Sequence, residues 1–327
     1  TNGTFASNTS GWSVNSNGTF TSVSGRGRVT NTQTGDRVRA NSGAMTTVVG
    51  KHYTLSFETY NSGGFLHLGK TSGGVEYQTN LGLNGSGKYT HTFVATGTEA
   101  HIQIGASSTT NGQYAEYDNI SLRLAEPDRS VNSNGVQVFG TVTKTPVASG
   151  TDLVAYSGFS ASNYLQQPYN SDLNFGTATD FSCSVWVNYS SVGNRCIYHR
   201  GSGSTGTWGA EIIQLETNST NLSFNFSPNG FTTSYQVNTP VANLTPGVWK
   251  LINTVRRGNT FELWLDGVLM NSLTQAVGLS NTSAKLWIGE RPNISRPMVG
   301  SLSLMRWTAT APTPEQIKKI YEDEKVL

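Results

Sequence analysis

The sequence predicts an all-β protein built as two β-sandwich domains, and three observations lead there. Charged residues make up only 13% of the 327 positions while 36 are glycine, and Ser, Thr and Asn fill much of the rest, the makeup of short strands joined by tight turns. Apolar residues recur at every second position over short runs, the period of a half-buried strand. The length exceeds one ordinary core and suits two domains, each large enough to bury its own.

Up to about Ala125 the alternating runs are Tyr53-Thr-Leu-Ser-Phe57, Phe65-Leu-His-Leu68, His101-Ile-Gln-Ile104 and Tyr117-Asp-Asn-Ile-Ser-Leu122. Around Ala125-Glu-Pro-Asp-Arg-Ser130 a proline and three charges interrupt the pattern. A first domain at 1–126, a linker at 127–134 and a second domain at 135–327 follow. Strands are expected in the second domain at Gly135–Val142, from Tyr164, and at Phe181–Val187, Ala210–Leu215 and Asn221–Phe226. Further strands are expected at Val248–Thr254, Phe261–Leu265, Lys285–Ile288 and Val299–Trp307. Asp266-Gly267 between two of these runs predicts a hairpin with a type I′ turn, which needs positive φ. Tyr189-Ser-Ser-Val-Gly-Asn194 reads as a second hairpin turn, joining Phe181–Tyr189 to Arg195–Arg200. In that register Cys183 and Cys196 stand well beyond the ~7 Å Cα limit for a disulfide, so two free thiols are expected, in keeping with assembly in a reducing compartment.

One helix is predicted, at the C-terminal end. Thr313 caps it, Pro314 takes its first position and Gln316 completes a capping box. Ile317, Ile320 and Tyr321 form its buried stripe, with Glu315–Lys319 and Lys318–Glu322 paired on the wet face.

The formal net charge of +2 includes no basic cluster, which argues against a nucleic-acid partner and against a polybasic membrane contact. No apolar run approaches the ~20 residues of a membrane-spanning helix, so a soluble chain without membrane insertion is expected. The sequence begins at Thr1 without a leader pattern, which favours a segment of a longer chain.

Asn2-Gly-Thr-Phe5, Ser10-Gly-Trp12 and Tyr117-Asp-Asn-Ile-Ser-Leu122 resemble the opening and closing strands of jelly-roll carbohydrate-binding modules. That resemblance implies a structural calcium, with Asp118 as its closing-strand ligand, although Ala6 stands where the acidic residue after the first-strand Phe is usual. Phe181-Ser-Cys-Ser-Val-Trp-Val187, Gly247-Val-Trp-Lys-Leu251 and Glu262-Leu-Trp-Leu-Asp-Gly267 resemble a concanavalin A-like domain of the laminin-G or pentraxin kind. The stretch from Val138-Phe-Gly-Thr-Val-Thr-Lys144 to the terminal helix is similar to C-terminal regions of tailed-bacteriophage tail fibres. The resemblance spans nearly all of residues 130–327 and implies a virion protein that meets a host surface.

Sugar binding uses flat apolar faces for C–H patches and planar polar groups for hydroxyls. By alternation, core-facing Leu55 and Phe57 turn Glu58 and Tyr60 outward; Leu66 and Leu68 do so for His67, and Ile102 and Ile104 for His101 and Gln103. Tyr77 and Tyr114 join them as candidates for one shared cleft; ordinary solvent-facing sheet residues look the same. Trp12, Trp186 and Trp249 sit among apolar neighbours and read as core. In the second domain the loop ending at Trp208, and the loop carrying Arg291 and Arg296, offer an aromatic ring and two guanidinium forks for acidic sugars; loop arginines are also commonly just solvated.

Catalysis fails a distance test. Retaining and inverting glycosidases hold their carboxyls ~5–5.5 Å and ~6.5–9.5 Å apart, whereas Glu262 and Asp266 stand roughly 13 Å apart along one strand. Glu211 and Glu216 fall on opposite faces of theirs, and a pair from separate strands stays open. The Glu-x-Asp-x-x-Glu text of laminarinase-like enzymes is absent, as are a nucleophile elbow, a phosphate loop and a zinc motif. The reading is a non-catalytic tail-fibre or other virion protein, or a fragment of one, that binds host-surface glycans in many copies or as a homo-oligomer. It is expected in the virion tail after assembly in the host cytoplasm, or else outside the cell. Two alternatives stand beside it: a purely structural protein docking other virion subunits, and an accessory carbohydrate-binding segment of a secreted glycan hydrolase.

Overall fold

The computed structural model describes residues 3–61, 63–83, 85–128, 134–147, 153–191, 193–201, 211–228, 234–279, 284–291 and 294–325. Contacts divide the chain into two compact units, Thr1–Gln137 and Val138–Leu327.

The first unit contains β1 (Trp12–Val14), β2 (Gly18–Val23), β3 (Arg26–Asn31), β4 (Arg39–Ser42), β5 (Met45–Thr46) and β6 (His52–Thr59). It continues through β7 (Gly64–Gly69), β8 (Gln78–Leu83), β9 (Gly87–Val94), β10 (Glu99–Ala106) and β11 (Tyr114–Glu126). One antiparallel sheet runs β1–β4–β10–β7–β8 with β5 on β10. The other runs β2–β3–β11–β6–β9. Alternation delivers Phe20, Val29, Leu55 and Phe57 from the second sheet, and Ala40, Leu66, Leu68, Ile102 and Ile104 from the first, into one core. Each large side chain buried this way contributes about 1.5–3 kcal/mol.

Tyr117 on β11 ties the two sheets together. Its ring is fully buried. Its hydroxyl accepts from the Phe65 N–H at 3.0 Å and lies 2.7 Å from the Gly105 carbonyl and 2.9 Å from that of Phe65. Burial pushes the phenol well above its ordinary range, so it stays a donor. Gly105 sits opposite Phe65, and a Cβ there would lie 2.4 Å from the ring, so only glycine lets that ring lie across β10.

β12 (Val136–Phe139) spans the boundary, and the second unit goes on with β13 (Thr143–Pro146), β14 (Val154–Ser157), β15 (Tyr164–Gln167), β16 (Phe181–Tyr189) and β17 (Arg195–Gly201). β18 (Glu211–Thr217), β19 (Asn221–Phe226), β20 (Tyr235–Pro240), β21 (Trp249–Arg257) and β22 (Thr260–Leu265) follow. β23 (Val268–Thr274), β24 (Lys285–Ile288), β25 (Gly300–Thr308) and helix α1 (Pro314–Glu324) complete it. One sheet has the order β15–β24–β17–β18–β19–β20 and the other β13–β14–β25–β16–β21–β22–β23. Asp266 and Gly267 turn between β22 and β23 with φ of 50° and 79°, the two positive angles that a type I′ hairpin requires.

α1 lies against the outer side of the β16 sheet. Its N-terminus carries the full capping box, Gln316 N–H on Thr313 Oγ1 and Thr313 N–H on Gln316 Oε1. Ile317 packs on Val255 and Trp264, Tyr321 stacks on Trp186 at 6.0 Å, and Glu324 accepts from the Trp186 indole at 2.8 Å. β16 is therefore buried on both faces, with eight of its nine residues buried although Ser182 and Ser184 interrupt its apolar text. Arg256 is fully buried, with its guanidinium donating to the carbonyls of Gly258, Gly176 and Val277, so it clamps three loops at once. No helix among the described residues is long and apolar enough to cross a membrane.

The structure corrects several expectations. β16 and β17 do not form a hairpin: β16 pairs with β21 and β25, β17 with β18 and β24. The turn text at Tyr189–Asn194 bridges two sheets, because turn residues are the same whether a chain doubles back or crosses over. Cys183 and Cys196 are nonetheless both free and buried, and burial raises both thiols well above their ordinary range. Trp186 is buried beneath α1, whereas Trp12 and Trp249 are only half-buried, and Trp12 packs edge-on against Phe20. On α1, Ile317 alone is fully buried, and the ion pairs are Lys319–Asp323 and Lys325–Glu322. Glu315 turns instead to its own backbone N–H and the Thr313 side chain at the helix start, which hold its carboxyl below the ordinary range.

Replacing Tyr117 with Phe leaves the Phe65 N–H and Gly105 carbonyl unpaired in the core. Tyr117→Phe is expected to lower the unfolding free energy by about 1–3 kcal/mol, read from urea denaturation; an unchanged midpoint would show that the hydroxyl is not the tie between the sheets.

Candidate functional site

At the start of β4 in the first unit, Arg37-Val38-Arg39-Ala40-Asn41 sends Val38 and Ala40 into the core, both fully buried, and so turns Arg37, Arg39 and Asn41 outward. Asn41 stands opposite Gln103 on β10, and Gln103 opposite His67 on β7. The result is a row of planar polar groups across three adjacent strands. Gln103 Nε2 donates to Asn41 Oδ1 at 2.8 Å. Phe65 precedes His67 on the same face, ring centroids 5.1 Å apart, and the Arg37 guanidinium lies 6.0 Å from the Phe65 ring. Burial, then the charges of Arg39 and Arg37, hold the His67 pKa below its ordinary value, with Gln103 opposing. A neutral imidazole offers one donor and one acceptor, as the amides beside it do. His101 lies next along β10, 3.4 Å from Glu99, with its Nδ1 buried and unpartnered among the described residues.

Glu58, Tyr60, Tyr114 and Asp118 do not join this row. They lie on the other sheet, because the connection from β6 to β7 crosses between sheets. There Glu116 receives Arg28 through Nε and Nη2 at 2.9 and 2.7 Å and faces Arg26 at 3.5 Å. The Arg26 and Arg28 guanidinium carbons cover the Tyr60 and Tyr114 rings at 3.5 and 4.3 Å. One face of each tyrosine ring is thus already covered by a cation. Tyr77 is an anchor: its hydroxyl accepts from the N–H groups of Thr96 and Gly97, and its ring sits 4.4 Å from Phe93. The single cleft expected from the sequence is two surfaces on opposite sheets, and only His67, His101 and Gln103 share one of them.

Glu58 and Asp118 are the cross-strand carboxylate pair that the distance test left open. Burial alone would raise Glu58, but hydrogen bonds from Lys88 and Tyr60 and the Lys88 charge hold it below its ordinary range. Burial, then Glu58 itself, raises Asp118, and burial with Glu58 pushes the Tyr60 phenol up to about 12. Split carboxyls of this kind can serve acid–base chemistry. Here Lys88 donates to Glu58 Oε1 at 2.9 Å and Tyr60 to Oε2 at 2.8 Å, so both oxygens already accept a hydrogen bond that favours the ionised form. Calcium takes about six to eight oxygens. No cluster of three ligating side chains stands among the described residues, and Asp118 Oδ1 is buried without a hydrogen-bond partner there, so the calcium that the module resemblance implies would have to take most of its oxygens from backbone and amide carbonyls.

In the second unit, Trp208 lies outside the described residues. Arg291 is almost fully buried rather than solvent-facing, and Arg296 is paired: Arg296 Nη1 lies 2.5 Å and Arg291 Nη1 4.0 Å from Glu216 Oε2. Glu290 folds the loop back by accepting the N–H groups of Arg291 and Arg296. A buried carboxylate needs cations beside it, and these guanidinium groups answer Glu216 instead of projecting as forks. Residues 159–318 match the family model of the concanavalin A-like lectin/glucanases superfamily. The second unit is a concanavalin A-like domain.

Solved structures similar to the chain include the receptor-binding domain of botulinum neurotoxin C/D mosaic serotype, at 15% identity and a TM-score of 0.48, covering 62% of this chain and 48% of that one. The botulinum neurotoxin serotype D ligand-binding domain in complex with N-acetylneuraminic acid matches at 16% identity and a TM-score of 0.47, covering 62% and 48%. The binding domain of Paraclostridial Mosquitocidal Protein 1 matches at 12% identity and a TM-score of 0.45, covering 62% and 49%. The chain thus spans about half the length of these structures. Comparison with curated proteins returns no match.

Asn41, Arg39 and Arg37 were missing from the sequence candidates although alternation with Val38 and Ala40 marks them as clearly as it marks His67. Asp118 gives a testable consequence. Its folded pKa is raised above the ordinary 3.8, so folding disfavours the ionised form and stability falls as pH rises from the ordinary value through the raised one. Asp118→Asn is expected to melt higher than the parent at about pH 7, with the difference vanishing below about pH 3, where Asp is protonated in both states. Thermal melts across that range check it; a lower melting temperature at neutral pH would mean that the carboxylate has a cationic partner.

Proposed function

We propose that this chain is a non-catalytic virion protein, a tail fibre or a segment of one, that recognises glycans on a host surface. The observation that carries the reading is the Asn41–Gln103–His67 row on the first unit. Its three side chains are uncharged, planar and able to donate and accept, which is what sugar hydroxyls require, and His67 and Asn41 are partly exposed. Two facing antiparallel sheets suit a carbohydrate-binding module of the jelly-roll kind, with the row on one outer face. The concanavalin A-like domain adds a second sandwich of lectin type. The virion assignment rests on the likeness of residues 130–327 to tail-fibre C-terminal regions. A shallow single row binds weakly, so adhesion comes from many copies presented together on one particle, assembled with other virion subunits.

The test is a glycan array and a whole-cell binding assay with the multimerised chain, beside His67→Ala and Gln103→Ala. Selective binding is expected, weakened about tenfold in each variant, the equivalent of ~1.4 kcal/mol for a lost hydrogen bond. Full binding by both variants would remove the row from the site, and no binding to any glycan or cell would favour a purely structural virion role.

A further inference from the structure

Between the two sheets of the first unit lies a cavity of about 300 Å³. Trp12 on β1, Met45 on β5 and Ile102 on β10 line it from one sheet, and Ile120 and Leu122 on β11 line it from the other. Ile102 is buried and the other four are half-buried against the core, so the cavity is an open recess at the core's margin rather than a sealed void. It lies on the core side of β10, whereas Gln103 faces outward. A break in β11 makes the room. Asp118 stands opposite Glu58 and Ser121 opposite Ser56, so Asn119 and Ile120 together face one residue of β6, with Asn119 at a φ of 52°. Such a bulge bends its strand and re-aims the side chains on it. The Ile120 N–H donates to the Gly3 carbonyl at 2.9 Å. Gly3 also lines the recess, and a Cβ there would collide with the Ile120 carbonyl, so only glycine lets the N-terminal segment close that side.

The walls decide what fits. The Trp12 ring is held by Phe5 at 5.8 Å and Phe20 at 5.6 Å, so one wall is set before any guest arrives, which lowers the ordering cost of binding. Met45 beside it is unbranched and polarizable, adapts to the shape it meets and makes favourable sulfur–aromatic contacts. Ile120 and Leu122 stand on the opposing sheet, and two apolar walls facing one another favour a flat guest. The volume is about twice the ~150 Å³ of a cavity that takes up one benzene ring, which gives room for two fused rings. Ser121 and Arg123 add polar groups to the lining, so one edge of the guest is polar. Mostly apolar side chains with a few polar groups, in a volume of at least ~300 Å³, is the pattern of small-molecule sites. A flexible acyl chain would fill the same space without ring contacts to Trp12 and Met45. A hexose, hydroxylated all round, would leave most of its hydroxyls against five apolar side chains, at a cost in desolvation.

We infer that this recess is a binding site for a small planar aromatic molecule of two fused rings with a polar edge. It is separate from the Asn41–Gln103–His67 row and stands whether or not that row binds glycans. The test is calorimetric titration of the whole chain with indole, whose N–H is its polar edge, with octanoate as the flexible-chain probe and maltotriose as the sugar probe. Parent, Met45→Ala, Leu122→Phe and His67→Ala are compared, together with their melting temperatures. Indole is expected to bind the parent one to one and to raise its melting temperature. Its affinity is expected to fall about tenfold or more in Met45→Ala, which removes the thioether, and in Leu122→Phe, which fills the gap, and to stay unchanged in His67→Ala. Leu122→Phe is expected to melt no lower than the parent, because its ring enters open space; a marked fall would mean that no such space exists and overturn the site. Indole binding unchanged in Met45→Ala and Leu122→Phe would put the molecule elsewhere on the chain and equally overturn it. Octanoate or maltotriose binding in the recess more tightly than indole would overturn the planar aromatic class. A parent that takes up no indole at millimolar concentration ends the inference, whatever a glycan array shows for the row.

Discussion

A half-buried strand hands every second side chain to the core and every other one to the opposite face, and the remaining features of this protein depend on that constraint. Val38 and Ala40 enter the first core because Arg37, Arg39 and Asn41 leave it. Leu66 and Leu68 do the same for His67. Since antiparallel register sets such residues directly opposite one another, alternation in separate strands becomes a continuous row as soon as the strands pair. The Asn41–Gln103–His67 row arises in this way, without any loop having to position it.

The outer faces of the first unit show two ways of managing polarity. On the β11 face, Arg26, Arg28 and Lys88 meet Glu116 and Glu58, and the two cations nearest the tyrosines cover their rings. Charge there is consumed locally, leaving little that is unsatisfied to offer a ligand. On the β10 face the central groups are amides and a neutral imidazole, with arginines only at the margin. Desolvating a neutral amide costs far less than desolvating an ion, so the second surface suits weak, reversible contact with an uncharged, hydrated partner.

Local chemistry was legible in the sequence; long-range pairing was not. The positions of β6, β7, β10, β19 and β24, the Asp266-Gly267 turn and the Thr313 capping box all follow from residues close together in the chain. Alternation also told which side chains leave the core. It did not tell which of two sheets a strand enters, and for that reason Glu58 and His67 were expected in one cleft and lie on opposite sheets. The same gap turned the Tyr189–Asn194 crossing into a hairpin. Arg291 looked like a loop cation because its partner, Glu216, lies on another strand far away in sequence.

β25 enters the second unit between β14 and β16, pairing with residues that precede it by more than a hundred positions. Until Gly300–Thr308 is available, β16 has only β21 beside it and exposes a row of open N–H and C=O groups flanked by Phe181, Val185 and Trp186. Such an edge is a template for intermolecular pairing, and closing so long a loop is slow. Expression boundaries drawn anywhere upstream of β25 therefore trade a shorter polypeptide for a sticky, half-built sheet, and proteolytic nicking that releases this strand would convert a closed sandwich into a seed for aggregation.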